Sequence, residues 1–206
     1  EQLDAARRFT REAIFRVGVQ IVEGVAKANQ AGPALADIAD CVIAGLLPRV
    51  EAEMAAMAGR IPGAGFSVAM GKLGGREMTA SSDLDLVFVY DVPEGVESSD
   101  GPKSLSPTLY FARLAQRLIA ALTTATAAGT LYEVDMRLRP TGNKGPVAVS
   151  LKSFADYHAS ESWTWEHMAL TRARVVYGSE DARAAVEAVI ADVMKIERDP
   201  RTLTKD

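Results

Sequence analysis

Apolar residues recur along this chain with two different periods, and the changes of period divide it into three regions. From Leu3 to about Met57 the spacing is helical. Ile14, Val17, Ile21, Val22 and Val25 lie three and four apart, which predicts one buried helix face. Ala31-Gly32-Pro33 predicts a break in that helix, and the pattern resumes from Asp37 to Ala58. The charges of this region read as a solvated face to which no chemistry is assigned. The Pro/Gly-rich run from Gly59 to Gly65 marks the expected boundary between a helical segment, residues 1–58, and a core over residues 59–150.

The core has the texture of strands. Phe66 to Met70 predicts a short strand running into Gly71-Lys72-Leu73-Gly74-Gly75, and Leu84 to Tyr90 predicts a second. Asp91 to Pro107 reads as a mobile loop. Ser106 and Pro107 predict a helix start, with Phe111, Leu114, Leu118 and Leu122 buried and a stop near Gly129. Leu131 to Arg139 predicts a third strand, ended by Pro140 and a Thr141-Gly142-Asn143 turn. The third region, residues 151–206, returns to helix. One helix is expected through Trp163, Met168, Leu170, Val175 and Val176 to Gly178, and another from a Ser179 cap to about Glu197. The pattern dissolves at Asp199-Pro200. The expected fold class is therefore α+β, a small mixed sheet flanked by N- and C-terminal helices.

Composition narrows the function classes. With 48% hydrophobic and 24% charged residues the chain reads as a soluble globular domain. Apolar runs such as Val42 to Leu47 are too short to span a bilayer, so no membrane is expected. No charged-then-apolar leader opens the chain, and Cys41 stands alone, which suits a reducing cytoplasm. Cys41 itself reads as a small apolar helix residue. Two histidines and one cysteine argue against structural zinc. The net charge is -4, with basic residues interleaved among acidic ones, so no nucleic-acid partner is expected. Neither end resembles a finished terminus, and the chain reads as a piece of a longer protein.

Candidate chemistry sits in the core. Strand side chains alternate between faces, which puts Asp83 and Asp85 on one face and Leu84, Leu86, Phe88 and Tyr90 on the other. Adjacent carboxylates repel unless a cation lies between them, and magnesium takes hard oxygen ligands. Asp-x-Asp alone is a weak signal. On the expected third strand Tyr132, Val134, Met136 and Leu138 face one way, and Glu133, Asp135, Arg137 and Arg139 the other. If that strand adjoins the second, Asp135 is a third metal ligand, and Arg137 and Arg139 reach toward phosphates with their planar forks. Gly71, Gly74 and Gly75, with Lys72 among them, permit close backbone approach and N–H groups that cradle a triphosphate. Ser81 and Ser82 add hydroxyls just before Asp83. No Gly-Lys-Ser/Thr ending is present, so this is not a P-loop.

Glycine turn, serine, Asp-x-Asp and a later Asp together resemble the DNA polymerase β-like nucleotidyltransferases, although the gap from Gly75 to Asp83 is shorter than usual there. A closer resemblance covers roughly Phe66 to Gly178. Gly71-Lys72-Leu73-Gly74-Gly75-Arg76-Glu77 with Ser81-Ser82-Asp83-Leu84-Asp85-Leu86, and Tyr132-Glu133-Val134-Asp135-Met136-Arg137-Leu138-Arg139-Pro140, form two blocks. Trp163-Thr164-Trp165-Glu166-His167, followed by Ala169 to Gly178, is the third. In order and spacing these resemble the glutamine synthetase adenylyltransferases.

That resemblance implies a sheet of the polymerase β-like nucleotidyltransferase type and transfer of AMP from ATP to a tyrosine of glutamine synthetase. The family is bifunctional: one half attaches AMP and a homologous half removes it with phosphate, while the PII signalling protein acts through the full-length enzyme. The Trp-Thr-Trp-Glu-His block resembles the attaching half. On this reading Asp83, Asp85 and Asp135 hold Mg2+, Asp135 accepts the tyrosine proton, and Arg137 offsets transition-state charge. Gly71, Lys72, Gly74, Gly75, Ser82 and Arg139 bind the nucleotide. Of Trp163 and Trp165, two apart and so on different helix faces, one is expected in the core and one on a nucleotide or partner surface. His167 reads as a hydrogen-bonded structural residue. Arg172 and Arg174 read as local ion pairs or partner contacts. The rival readings are the phosphorolytic half, a non-catalytic module of the same fold, and transfer to RNA or a small molecule.

Overall fold

The computed structural model describes residues 2–197 of the chain. Helix α1 (Gln2–Val22) packs on helix α2 (Ala31–Ala58). The break expected at Ala31-Gly32-Pro33 falls earlier: α1 ends at Val22, and Gly24 takes a φ of 72°. A short 3-10 turn, Ala28–Gln30, then leads into α2, whose first turn holds Pro33. Proline is tolerated there because first-turn N–H groups lack intrahelical acceptors. Ile14 and Val17 pack against the core as expected, whereas Val22 and Val25 are exposed where the helix has ended.

The stretch Ala28–Ala58 corrects one expectation, because it is long and apolar enough by length and composition to cross a membrane. Alanines and glycines between the larger apolar residues extend the run beyond what Val42 to Leu47 suggested. In the structure Leu35, Ile38, Val42, Ile43, Leu46, Leu47 and Val50 of this helix are buried in the protein core.

Strand β1 (Ala64–Ala69) pairs antiparallel with β2 (Leu84–Asp91), in register from Ala64 opposite Asp91 to Ala69 opposite Leu86. A one-turn helix, α3 (Gly71–Gly74), follows β1. Helix α4 (Pro107–Thr123) buries Phe111, Leu114, Leu118 and Leu122, as its spacing predicts. Strands β3 (Val134–Asp135) and β4 (Ala148–Ser150) both run parallel to β2 along one edge, β3 at its start and β4 at its end. Helices α5 (Leu151–Ser160) and α6 (Thr164–Leu170) precede β5 (Arg174–Tyr177), which pairs antiparallel with the far edge of β1. Helix α7 (Glu180–Met194) closes the described chain, with the Ser179 hydroxyl accepting from the Ala182 N–H at 3.2 Å. The result is the expected α+β architecture around a small mixed sheet.

Two apolar clusters flank this sheet. Leu84, Leu86, Phe88 and Tyr90 join α2 and α4 in one, and Val68, Val87, Val89 and Val175 join α5, α6 and α7 in the other. Burial on both faces explains why β1 and β2 read as nearly unbroken apolar runs. It also explains why Val175 and Val176, expected on a helix, form strand β5: with branched side chains they extend the sheet beside β1.

Three further expectations change. Helix α4 stops at Thr123, not near Gly129: Thr124 turns extended at ψ 127°, and the buried Arg7 guanidinium bonds carbonyls on both sides of that point. It donates to Ala121 O (3.3 Å), to Thr124 O and to Gly129 O (2.6 Å). Arg7 was expected on a solvated face. The loop after β2, expected to be mobile, is stapled down: Ser99 Oγ donates to Ala58 O at 2.6 Å and Asp100 Oδ1 accepts from the Arg60 N–H at 2.6 Å. The third strand is only two residues long, because the Asp135 side chain turns the backbone at Arg137. The expected end of pattern at Asp199-Pro200 lies outside the described residues.

Candidate active site

Leu84 and Asp85 pair across the ladder with Val134 and Asp135, and the Leu84 N–H donates to Glu133 O at 2.9 Å. This register puts Asp85 and Asp135 side by side at the strand starts, with Asp83 immediately before β2. One carboxylate oxygen from each of Asp83, Asp85 and Asp135 lies within 4.8 Å of the others. Burial, then the charges of Asp83 and Asp135, push the Asp85 carboxyl above its ordinary range. A site of three converging carboxylates, one disfavouring its own ionisation, has the donor chemistry of a hard divalent cation, and these residues fit magnesium.

Arg137 sits on this cluster differently from the alternating-strand expectation. Its backbone N–H donates to Asp135 Oδ1 at 2.8 Å, and its Nε donates to Oδ2 at 2.7 Å. Arg137 thereby holds the Asp135 carboxyl below the usual range. Its side chain is about three-quarters exposed, at 74%. Arg139 does not share that face. It is buried, donating from NH1 to Met136 O at 2.7 Å and from Nε to Gly145 O at 3.4 Å. The turn that ends β3 early rotates Arg139 inward.

The glycine segment is a tight helical turn, not an open cradle. The N–H groups of Gly74 and Gly75 donate to Met70 O (2.7 Å) and Gly71 O (3.0 Å), so those two donors are engaged within the turn. Gly71 and Gly74 each have a packing reason, whereas Gly75 has room for a Cβ. Gly71 has φ 51°, and a Cβ there would lie 2.1 Å from Asp85 Oδ2. A Cβ on Gly74 would lie 2.1 Å from Arg172 O. Lys72 is exposed, and its charge lowers the Asp85 pKa against the larger upward causes. Ser82 is buried; its Oγ accepts from the Thr79 N–H at 2.9 Å and bonds Thr79 Oγ1 at 2.8 Å, which fixes the approach to Asp83.

Trp163 and Trp165 are both exposed, at 63% and 50%, so neither enters the core as one was expected to. Helix α6 is only seven residues long, and its buried positions go to Glu166, His167 and Leu170. His167 is structural: its Nε2 bonds His158 O at 2.8 Å and Ser162 Oγ at 2.6 Å. Arg172 pairs with Glu77 at 3.0 Å and Arg174 with Asp40 at 2.8 Å. Asp40 was missed as part of the site's surroundings. Nothing in the spacing joins it to a residue 134 positions away. A cavity of about 770 Å3, lined by Glu51, Arg60, Tyr110 and Tyr177 among others, touches none of the three aspartates.

The geometry agrees with similarity to known proteins. A family model described as glutamate-ammonia ligase adenylyltransferase matches residues 1–189. Three relatives carry the name bifunctional glutamine synthetase adenylyltransferase/adenylyl-removing enzyme. That of Bradyrhizobium diazoefficiens is 53% identical, that of Xanthobacter autotrophicus 52% and that of Brucella suis 48%. Each alignment covers 100% of this chain and 21% of the relative, so the chain spans about a fifth of the length of these proteins. On these matches, the chain belongs to the glutamate-ammonia ligase adenylyltransferase family.

Proposed function

We propose that this chain is a magnesium-dependent nucleotidyltransferase unit that moves AMP from ATP to a tyrosine of glutamine synthetase. The observation that carries the proposal is the convergence of Asp83, Asp85 and Asp135 within 4.8 Å, inside a chain matched along residues 1–189 by its family model. Asp83, Asp85 and Asp135 would hold the cation, with Asp83 and Asp85 also serving a second. Such a cation supplies Lewis-acid stabilisation of charge on phosphoryl oxygens and favours the anionic form of an attacking hydroxyl.

The chain's own groups account for the rest. A tyrosine hydroxyl has a pKa near 10, so only about one in a thousand is phenolate at pH 7. Asp135, kept ionised by Arg137, would take that proton. The phenolic oxygen bonds to the α-phosphorus as the bond to pyrophosphate breaks, and no covalent enzyme intermediate is required. Arg137 is exposed and has two possible anionic targets, Asp135 and the polyphosphate. Moving its guanidinium onto phosphate oxygens would remove the main cause that depresses the Asp135 pKa, making the carboxylate a better base as the charge builds. Lys72, exposed beside Asp85, is the second candidate cation for the triphosphate. Gly71 lets the turn approach Asp85, while Gly74, Gly75, Ser82 and Arg139 act by fixing the walls of the site.

The names of the relatives carry two reactions, attachment and removal of AMP. Both are in-line substitutions at one phosphorus, and the same three carboxylates serve either. Attachment is favoured here because the Trp163 to His167 block resembles the attaching half, and its two exposed tryptophans offer a surface for a protein acceptor. The test is incubation with labelled ATP, magnesium and glutamine synthetase, followed by mass spectrometry of the acceptor. A mass increase of one AMP on a tyrosine, absent with Asp83→Asn, supports the proposal; an unmodified acceptor overturns it.

A further inference from the structure

We propose that Asp40 and Arg174 form a clamp that positions the glycine turn against Asp85. This makes them positioning residues of the transfer site, and it rests on the reading of that site given above. Arg174 opens β5 opposite Ala69, the last residue of β1. Its guanidinium meets the Asp40 carboxylate fork to fork, NH1 to Oδ2 at 2.8 Å and NH2 to Oδ1 at 3.0 Å. The same NH2 donates to Leu73 O at 3.1 Å, inside α3. One guanidinium therefore joins helix α2, strand β5 and the turn.

The turn is gripped on its other sides too. Gly74 packs so closely that a Cβ there would lie 2.1 Å from Arg172 O and 2.7 Å from Ala69 O. Arg76, with a left-handed φ of 57°, pairs with Asp37 at 2.7 Å and lies 3.9 Å from Asp40. Beyond it, Glu77 pairs with Arg172 at 3.0 Å. The opposite end of the turn faces the chemistry. The Met70 N–H donates to Asp85 O at 2.9 Å, and Gly71 leaves no room for a Cβ beside Asp85 Oδ2. A shift of Leu73 by a few tenths of an ångström is thus passed to Asp85, because packed backbone has no slack to absorb it.

The pair need not stabilise the fold, since removing two charges from water offsets much of their attraction. A fork on a carboxylate supplies direction instead. The Asp40 charge is also felt at Tyr132. Tyr132, whose hydroxyl is pushed up to about 12 by burial and then by the Asp40 charge, starts the run that leads to Asp135.

The test uses Arg174→Met, Arg174→Lys and Asp40→Asn, each read by transfer kinetics and by amide hydrogen exchange. The clamp predicts that kcat falls by about 10–100-fold in Arg174→Met and Asp40→Asn, the usual range for groups that orient metal ligands. KM for the protein acceptor stays unchanged, and Arg174→Lys recovers part of the loss. Exchange quickens at residues 70–77 and not in α5 or α7. Wild-type kcat in both variants, or exchange quickened equally everywhere, overturns the clamp. Should Arg174→Met fail to fold, Asp40→Asn, which keeps the side chain's shape, decides alone. If the wild-type chain transfers no AMP, the proposed reaction fails. The clamp then stands or falls on exchange at 70–77 and on Mn2+ affinity, and wild-type values of both in the variants overturn it.

Discussion

The Arg137 backbone and guanidinium together occupy both oxygens of the Asp135 carboxylate, N to Oδ1 at 2.8 Å and Nε to Oδ2 at 2.7 Å. A lysine at this position could keep the backbone contact but not the Nε geometry, and it could not grip two phosphate oxygens at once. Arg137→Lys is therefore expected to be nearly as damaging as Arg137→Ala, with kcat lowered on the order of 10²–10³-fold in both. Turnover and MgATP affinity of the two variants check this. Wild-type rates in the lysine variant would reduce Arg137 to a general surface charge.

Asp85 gives the opposite sign in stability. Its folded pKa is raised, so between the ordinary value of 3.8 and the folded value the native state binds more protons than the unfolded one. Stability is lost as pH rises through that window and stays lost above it. Asp85→Asn should abolish transfer yet raise Tm in metal-free buffer at pH 7, and that gain should vanish below pH 3.8. Thermal melts across pH with a chelator present read it directly. A lower Tm at pH 7 would contradict the crowding of carboxylates.

Two glycines three positions apart should fail in different ways. Gly71→Ala places a methyl on Asp85 Oδ2 at a φ of 51°, which costs about 1–3 kcal/mol and should act mainly on metal affinity and kcat. Gly74→Ala drives a methyl into backbone carbonyls at Arg172 and Ala69, which cannot rotate away. It should lower Tm more than Gly71→Ala does. Equal melting temperatures with equal activities would show that the turn relaxes freely.

Trp163→Ala and Trp165→Ala should each leave the unfolding free energy within about 0.5 kcal/mol of wild type, the usual scale for exposed positions. If they form the acceptor surface, KM for the protein acceptor should rise while ATP affinity holds. A large fall in Tm would place one of them in the core after all.

The site was legible where its signal was local. The apolar run from Leu84 to Tyr90 assigned the strand, and strand alternation set Asp85 on the face opposite Leu84, Leu86, Phe88 and Tyr90. The pairing of β3 with β2, which brings Asp135 in, entered only as a condition, because no local pattern states which strands adjoin. Arg139 was misplaced for a related reason. Alternation assumed a strand through residue 139, but the Asp135 side chain captures the Arg137 N–H and turns the chain, a competition between side chain and ladder that periodicity cannot see. Val175 and Val176 read as helix because apolar residues in a short run fit either period. The charges of α2 were least legible: Asp40, Glu51 and their partners Arg174 and Tyr177 lie more than 120 residues apart.

The most direct test of the account is the ratio of two rates on one preparation of the chain. One is ATP-dependent attachment of AMP to unmodified glutamine synthetase with release of pyrophosphate. The other is phosphate-dependent removal of AMP from the modified protein with release of ADP. The account predicts that attachment outpaces removal, and that Asp85→Asn eliminates it. Removal outpacing attachment would contradict the assignment.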